Sequence, residues 1–167
     1  MKSKPFAVTA FVLIAALCAT AQSAPQKSFD AMKSLAGNWS GKNTMGDPIN
    51  VSYRITSAGS ALLGEIQSSM NGQSEDMISM ITLDNDRLLL THYCTAGNQP
   101  RMAATASPDG KTITFDFVDA TNLSSPDAGH MQRVVFTFLD SNHHTEDWLF
   151  LDHGKNISEH FDLQRKS

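Results

Sequence analysis

The stretch Thr112-Ile113-Thr114-Phe115-Asp116-Phe117 alternates polar and apolar residues at every position. A period of two places successive side chains on opposite faces of an extended chain, so this pattern predicts a half-buried β-strand. The same alternation occurs at Val51-Ser52-Tyr53-Arg54-Ile55-Thr56. Turn-forming clusters of Gly, Pro, Asn and Asp separate such stretches at short intervals. We therefore expect strands at about 38–44, 49–56, 61–69, 76–83, 87–94, 100–106, 111–118, 130–139, 144–152 and 156–164.

These short strands follow one another without helices between them, which excludes parallel crossover folds. An open meander of this length would expose two long edges, so closure is favoured. We expect an all-β fold, an antiparallel up-and-down barrel of about 8–10 strands with a short N-terminal helix. The helix is predicted at 28–35, capped by Ser28. The long connection 119–129 predicts either a lid over one barrel mouth or a surface loop.

The N-terminus has the order of features typical of a secretory signal peptide. Lys2 and Lys4 precede an apolar run from Phe6 to Leu17, and Ala19-Thr20-Ala21 forms an A-x-A cleavage site. The apolar run is too short to span a bilayer comfortably. We therefore expect a secreted or periplasmic protein with no membrane anchor after processing. The predicted organisation is a signal peptide at 1–21, a linker and short helix at 22–36, and a barrel domain at 37–167.

Charge and cysteine content restrict the partners and the source of stability. Cleavage removes Lys2 and Lys4, so the net charge changes from −4 to −6. An acidic chain without basic runs is a poor nucleic-acid binder, because phosphate neutralisation supplies most of that affinity. Cleavage also removes Cys18 and leaves Cys94 without an internal disulfide partner. The mature protein is therefore expected to depend on core packing.

The segment Leu35-Ala36-Gly37-Asn38-Trp39-Ser40-Gly41 resembles the opening of calycin-type barrels, the lipocalins and their bacterial relatives. In those proteins the tryptophan closes the barrel floor and stacks with a basic residue from the last strand. The resemblance implies that Arg165 takes this place, with Lys166 as the alternative. Residues 29–166 also resemble small exported bacterial proteins of uncharacterised function with lipocalin-like folds, through the stretches 90–94 and 97–102. This second resemblance implies a fold and no particular activity.

The densest polar segment contains His92, Cys94 and Arg101. On one strand His92 and Cys94 point to the same side, in an otherwise apolar row. With Arg101 they are candidates to orient the anionic head group of a ligand, Arg101 through its planar guanidinium and His92 as a second donor. A thiolate activated by the imidazole is a second hypothesis. In the third, Cys94 is an inert buried residue and His92 is satisfied by local hydrogen bonds.

Glu159 lies in register with apolar neighbours on the last strand, so its carboxylate must be paired, protonated or at the barrel mouth. Phe136 and Trp148 are among the inward-facing aromatic candidates. Their presence is compatible with a filled core or with an apolar ligand cavity. The candidate ligand-binding residues are therefore His92, Cys94, Arg101, Glu159, Trp148 and Phe136.

The histidine-rich segment after residue 142 does not have the spacing of a metal site. His143 and His144 face opposite sides of a strand, Glu159 and His160 are split in the same way, and no H-E-x-x-H motif occurs. No metal is therefore predicted, and the sequence indicates neither a cofactor nor an oligomeric state.

Three functions remain open from the sequence. The favoured one is an exported barrel that holds a small apolar or amphipathic ligand. The second is an exported structural or stress-related barrel with a filled core. The third is a cavity enzyme that uses His92 and Cys94, or Glu159, as catalytic groups; the sequence contains no nucleophile elbow, phosphate loop or metal motif to support it.

Overall fold

The computed structural model describes residues 22–70 and 73–166. The predicted signal peptide at 1–21 lies outside the described residues. The described residues form one α-helix and ten strands, with a short 3-10 helix (Ser57–Gly59) between the second and third strands. They are α1 (Ala24–Lys33), β1 (Gly37–Lys42), β2 (Pro48–Thr56), β3 (Ala61–Met70), β4 (Gln73–Asp84), β5 (Arg87–Tyr93), β6 (Gln99–Ala106), β7 (Thr112–Thr121), β8 (His130–Asp140), β9 (His143–Asp152) and β10 (Lys155–Arg165).

The strands form a closed antiparallel barrel in up-and-down order, which confirms the predicted fold class. Each strand pairs with the next one in sequence, and β1 also pairs with β10. The closing ladder aligns Trp39 with Arg165 and Lys42 with Asp162. Closure pairs the two strands that would otherwise be edges.

The helix begins four residues earlier than predicted, at Ala24 instead of Ser28. Ser23 is the N-cap, and its Oγ accepts a hydrogen bond from a backbone N–H of the first turn at 3.4 Å. Pro25 lies in the first turn, where its fixed φ favours a helix start. Ser28 instead lies inside the helix and donates to the Ala24 carbonyl at 3.2 Å. The prediction was wrong here because the cap and proline upstream provide the stronger start signal.

All ten strands occur where they are predicted, and their ends differ by up to three residues. β4 begins at Gln73 instead of 76, and β7 continues to Thr121 instead of 118. Both extensions consist largely of polar residues. Ladder hydrogen bonds use backbone groups, so a hairpin can continue beyond its apolar residues.

The two ends of the barrel are different. Helix α1 packs its buried residues Phe29 and Met32 into the core and covers the end at which β1 begins. The opposite end carries the turns 43–47, 94–98 and 153–154 and the connection 122–129. We call this second end the mouth. Within the part of the chain that the structure describes, a helix therefore covers one end of the barrel and not the other.

Trp39 and Arg165 lie together at the helix-covered end, as predicted. The Arg165 guanidinium is 4.2 Å from the centre of the Trp39 ring, and the indole is buried. Trp39 Nε1 donates to the Leu35 carbonyl at 2.7 Å. Arg165 also donates to the carbonyls of Ser34 and Ala36, both at 2.8 Å. Arg165 therefore joins the last strand both to the indole and to the connection between α1 and β1.

Gly37 is required at this junction. Its φ is +133°, which L side chains rarely adopt, and a Cβ there would lie 2.8 Å from Arg165 Nη1. The glycine of the G-x-W motif therefore leaves room for the guanidinium that covers the tryptophan.

We expect Trp39→Ala to cost about 3 kcal/mol or more of unfolding free energy, because a buried aromatic ring is lost. Arg165→Ala should cost less. The double variant should lose less than the sum of the two, since each single change already removes the shared contact. Urea midpoints of the three variants measure this. Arg133→Ala is the control, because Arg133 forms an exposed pair with Asp116 on the outer surface. Strict additivity of the two losses would contradict the coupling.

Candidate ligand-binding cavity

A cavity of about 340 Å³ opens at the mouth of the barrel. This volume lies near the lower end of the roughly 300–1,000 Å³ typical of small-molecule pockets. Its walls are mainly apolar and come from strands on opposite sides of the barrel. The apolar lining includes Ile66, Met77, Met131, Trp148, Phe150 and Phe161. The barrel interior is therefore open near the mouth, while α1 and its contacts fill the other end.

Three residues that line the cavity each carry a buried polar atom with no hydrogen-bond partner among the described residues. The atoms are Ser68 Oγ, His92 Nε2 and Glu159 Oε2. A buried polar group without a partner costs roughly 1–3 kcal/mol. Such atoms are rare in folded proteins, and each calls for a ligand, a water or another explanation. Their concentration in one apolar cavity marks it as the candidate site.

His92 is placed by the alternation of β5, which turns Leu88, Leu90 and His92 inward. The imidazole is fully buried, and its Nδ1 is 3.0 Å from Ser79 Oγ. Its ring lies 4.9 Å from the Trp148 ring. Burial lowers the pKa of His92 from 6.5 to about 4. His92 is therefore neutral near pH 7, and its Nε2 has no hydrogen-bond partner among the described residues.

Cys94 also lines the cavity, just beyond the end of β5. It is half-buried, and burial raises the pKa of its thiol; the backbone N–H of Ala96 opposes this shift and the charge of Glu75 adds to it. A raised pKa keeps the sulfur protonated, which disfavours a thiolate nucleophile. Among the described residues, no hydrogen bond joins Cys94 to His92. Within the described residues, His92 is therefore not placed to activate Cys94 as a nucleophile.

Glu159 faces the cavity from β10, directly across the ladder from Trp148 on β9. Of the alternatives expected for this carboxylate, paired, protonated or at the barrel mouth, the structure places it at the mouth. Four of the six predicted ligand-binding residues thus line one cavity. They are His92, Cys94, Trp148 and Glu159.

Arg101 and Phe136 are placed elsewhere. Arg101 is exposed on the outer surface, where its Nε donates to Asp119 at 2.6 Å. Its neighbours Pro100 and Met102 are buried, so the alternation of β6 turns Arg101 outward. Phe136 is buried below the cavity, with its ring 6.3 Å from that of Trp148. Arg101 does not reach the cavity, and Phe136 supports one of its walls.

A buried polar network, not predicted from the sequence, lies beneath the cavity. Glu146 is fully buried, and its Oε1 accepts from Tyr53 Oη at 2.6 Å and lies 3.1 Å from His144 Nε2. Its Oε2 accepts from Trp148 Nε1 at 2.9 Å. Burial, together with the charge and hydrogen bond of Glu146, raises the pKa of Tyr53 well above its ordinary value. Tyr53 therefore stays protonated as a donor, and the network orients the Trp148 indole.

A signal for this network was present in the sequence. Glu146 lies in the same alternating row as His144 and Trp148. Only Trp148 was identified as inward-facing, although a period of two places all three side chains on one face. Glu75 was not predicted to face inward either. It lies two residues before Met77, in the inward-facing row that continues to Ser79, and it also lines the cavity.

The histidine cluster divides as expected from strand alternation. His143 lies on the outer side with its Nε2 2.8 Å from Asp162, whereas His144 is buried inside the barrel. In the part of the chain that the structure describes, no group of three or more His, Cys, Asp or Glu residues is arranged to hold a metal ion.

The connection 122–129 lies beside the mouth. Asn122 Nδ2 donates to the Gly97 carbonyl at 2.7 Å, and Asn98 Nδ2 donates to the Gly129 carbonyl at 2.8 Å. These bonds join the connection to the turn 94–98, of which residues 94–96 line the cavity. The connection is thus held at the edge of the entrance.

A solved structure, Rv2717c from M. tuberculosis, has a similar fold. The two match with a TM-score of 0.60 and 16% sequence identity, over 87% of this chain and 100% of that chain. No protein-family model and no curated protein matches this sequence. The likeness supports the barrel architecture and concerns the fold alone. Within residues 22–70 and 73–166, no helix is long and apolar enough to cross a membrane.

The buried neutral imidazole predicts a pH dependence of stability. The unfolded chain binds a proton at His92 below about pH 6.5, whereas the folded chain does so only near pH 4. Stability therefore falls as the pH falls through this window. We expect His92→Gln to remove about 2 kcal/mol of the loss between about pH 7.5 and pH 5.

Urea denaturation of both proteins at the two pH values measures this difference. His153→Gln is the control, because His153 is exposed at the β9–β10 turn. An equal loss of stability in wild type and His92→Gln would show that His92 is not held neutral by burial.

Proposed function

We propose that this protein is an exported, lipocalin-like barrel that binds a small apolar or amphipathic molecule in the cavity at its mouth. One observation carries the proposal: three residues that line an apolar cavity of about 340 Å³ carry buried polar atoms without partners in the described part of the chain. Burial of an apolar ligand there would contribute about 25 cal/mol for each Å² removed from water. A polar group on the ligand would also pair atoms that are unsatisfied without it.

The position of the polar atoms supports an amphipathic ligand in particular. His92 lines the cavity from β5, and Cys94 lines it just beyond the end of the same strand. Ser68 Oγ and Glu159 Oε2 come from β3 and β10. Polar groups that converge from separate strands fix the orientation of a ligand, while apolar walls supply most of the affinity.

Export is supported by the N-terminal sequence and tested separately. We expect the mature protein to begin at Gln22, because Ala19-Thr20-Ala21 has the small residues that signal peptidase requires. N-terminal sequencing of the protein recovered from the medium or periplasm measures this. A recovered protein that still contains Lys2 would contradict export by cleavage.

Ligand binding is tested with N-phenyl-1-naphthylamine, a neutral apolar dye whose fluorescence rises in apolar surroundings. We expect saturable binding of one dye per chain, with quenching of Trp148 because this indole lines the cavity. Ala96→Trp should weaken binding by about tenfold or more, since Ala96 is exposed at the entrance and a large side chain would obstruct it.

Ala106→Trp is the matched control, because Ala106 is exposed at the end of β6 remote from the mouth. It should bind the dye as wild type does. An absence of saturable binding to wild type would refute the proposed function. Equal affinities of the two variants would place the dye outside the cavity.

A further inference from the structure

We propose that the cavity selects amphipathic ligands whose polar end is a protonated amine, and that it discriminates against carboxylates with the same apolar body. This inference rests on the proposed binding function and specifies its ligand class. It differs from the expectation that Arg101 would hold an anionic head group, since Arg101 pairs with Asp119 on the outer surface.

The charged side chains that line the cavity have one sign. They are Glu75 on β4 and Glu159 on β10, and within the described part of the chain no Lys or Arg lines the cavity with them. The residues 69–74, which include the undescribed turn, contain no charged residue. Lys155 begins β10 in the row of Glu159, but it is exposed and lies opposite Asp152 in the ladder. A ligand carboxylate would therefore meet like charges without a compensating cation.

Neither cavity carboxylate has a strong partner among residues 22–70 and 73–166. Within these residues Glu159 Oε2 is buried and accepts no hydrogen bond. Glu75 Oε1 accepts one long hydrogen bond, from Thr95 Oγ1 at 3.4 Å. Among the described residues, neither glutamate takes part in an ion pair. An ammonium group has three N–H donors and no acceptor, so it complements such oxygens.

His92 adds no positive charge that could attract a carboxylate. Its imidazole is fully buried and lines the cavity, and its Nε2 has no hydrogen-bond partner among the described residues. With Nδ1–H donating to Ser79 Oγ, Nε2 is an acceptor, and in the other tautomer it is a donor. The buried imidazole is neutral near pH 7, so Glu75 and Glu159 set the sign of the charge in the cavity wall.

The aromatic wall next to Glu159 favours a cation as well. Trp148 is the ladder neighbour of Glu159, and both line the cavity. The face of an indole attracts cations, more strongly when the site excludes water. The Trp148 Nε1–H is already used by Glu146, which leaves the ring as the part of this residue that a ligand meets. A carboxylate beside an indole is an arrangement suited to an ammonium group.

Three probes that share a phenyl group and a chain of four methylenes test the selectivity: 4-phenylbutylamine, 4-phenylbutanol and 5-phenylpentanoate. Each displaces N-phenyl-1-naphthylamine from the protein at pH 7.5, and the midpoints give relative affinities. We expect the amine to bind about tenfold more tightly than the carboxylate, with the alcohol between them. Glu159→Gln should weaken amine binding by about fivefold and change alcohol binding by less than about twofold.

Glu65→Gln is the matched control, because Glu65 is an exposed carboxylate on the outer face of β3. It should leave all three affinities unchanged. An equal loss of amine affinity in Glu65→Gln and Glu159→Gln would overturn the inference, since general surface charge would then account for the attraction. Thermal unfolding of the variants checks that each is folded.

The remaining outcomes separate this inference from the proposed function. Equal affinity for the three probes would overturn amine selectivity and leave the cavity as a binding site for apolar bodies. Tightest binding of the carboxylate would overturn it in the same way. If neither the dye nor any probe binds, the proposed function fails, and the inference fails with it.

Discussion

The pairing of β1 with β10 is the constraint on which the rest of the structure depends. It turns a linear meander into a closed barrel, so that inside and outside become distinct for every strand. Trp39 and Arg165 stand opposite each other in this ladder, and the guanidinium covers the indole at 4.2 Å. Arg165 also binds carbonyls that precede β1, so the first and last strands and the end of α1 are held at one place. This junction lies at the helix-covered end, and the cavity opens at the opposite end.

The interior has two levels with different physical roles. Toward α1 the barrel is filled by close-packed side chains, including Phe115 and Phe136 with ring centres 5.9 Å apart. Above them, Glu146 collects donors from three side chains, as a buried carboxylate must if it is to remain in the core. One of those donors is the Trp148 indole, which forms a wall of the cavity. The buried Glu146 thus orients the Trp148 indole in the cavity wall.

The fold was predictable because it depends on local patterns. Alternation in stretches such as 112–117 specifies strands and their inner faces, and the turn clusters specify where the chain reverses. The likeness of a first-strand tryptophan and a last-strand arginine to a known barrel type located their contact. His92 and Cys94 were correctly placed on one face, because two residues on a strand share a side. Strand ends and the helix start were less certain, since backbone ladders and caps extend beyond the apolar pattern.

The sequence by itself determined the strands, their order, the closing pair and the candidates His92, Cys94, Trp148 and Glu159. The same alternation indicates that Arg101 faces outward and that Glu146 faces inward, although neither orientation was predicted. Only the tertiary structure decided depth: Phe136 and Trp148 both face inward, yet one is buried below the cavity and the other lines it. The physical reason is that strand period assigns a side chain to a face, whereas its height and neighbours inside a barrel depend on the stagger of all ten strands.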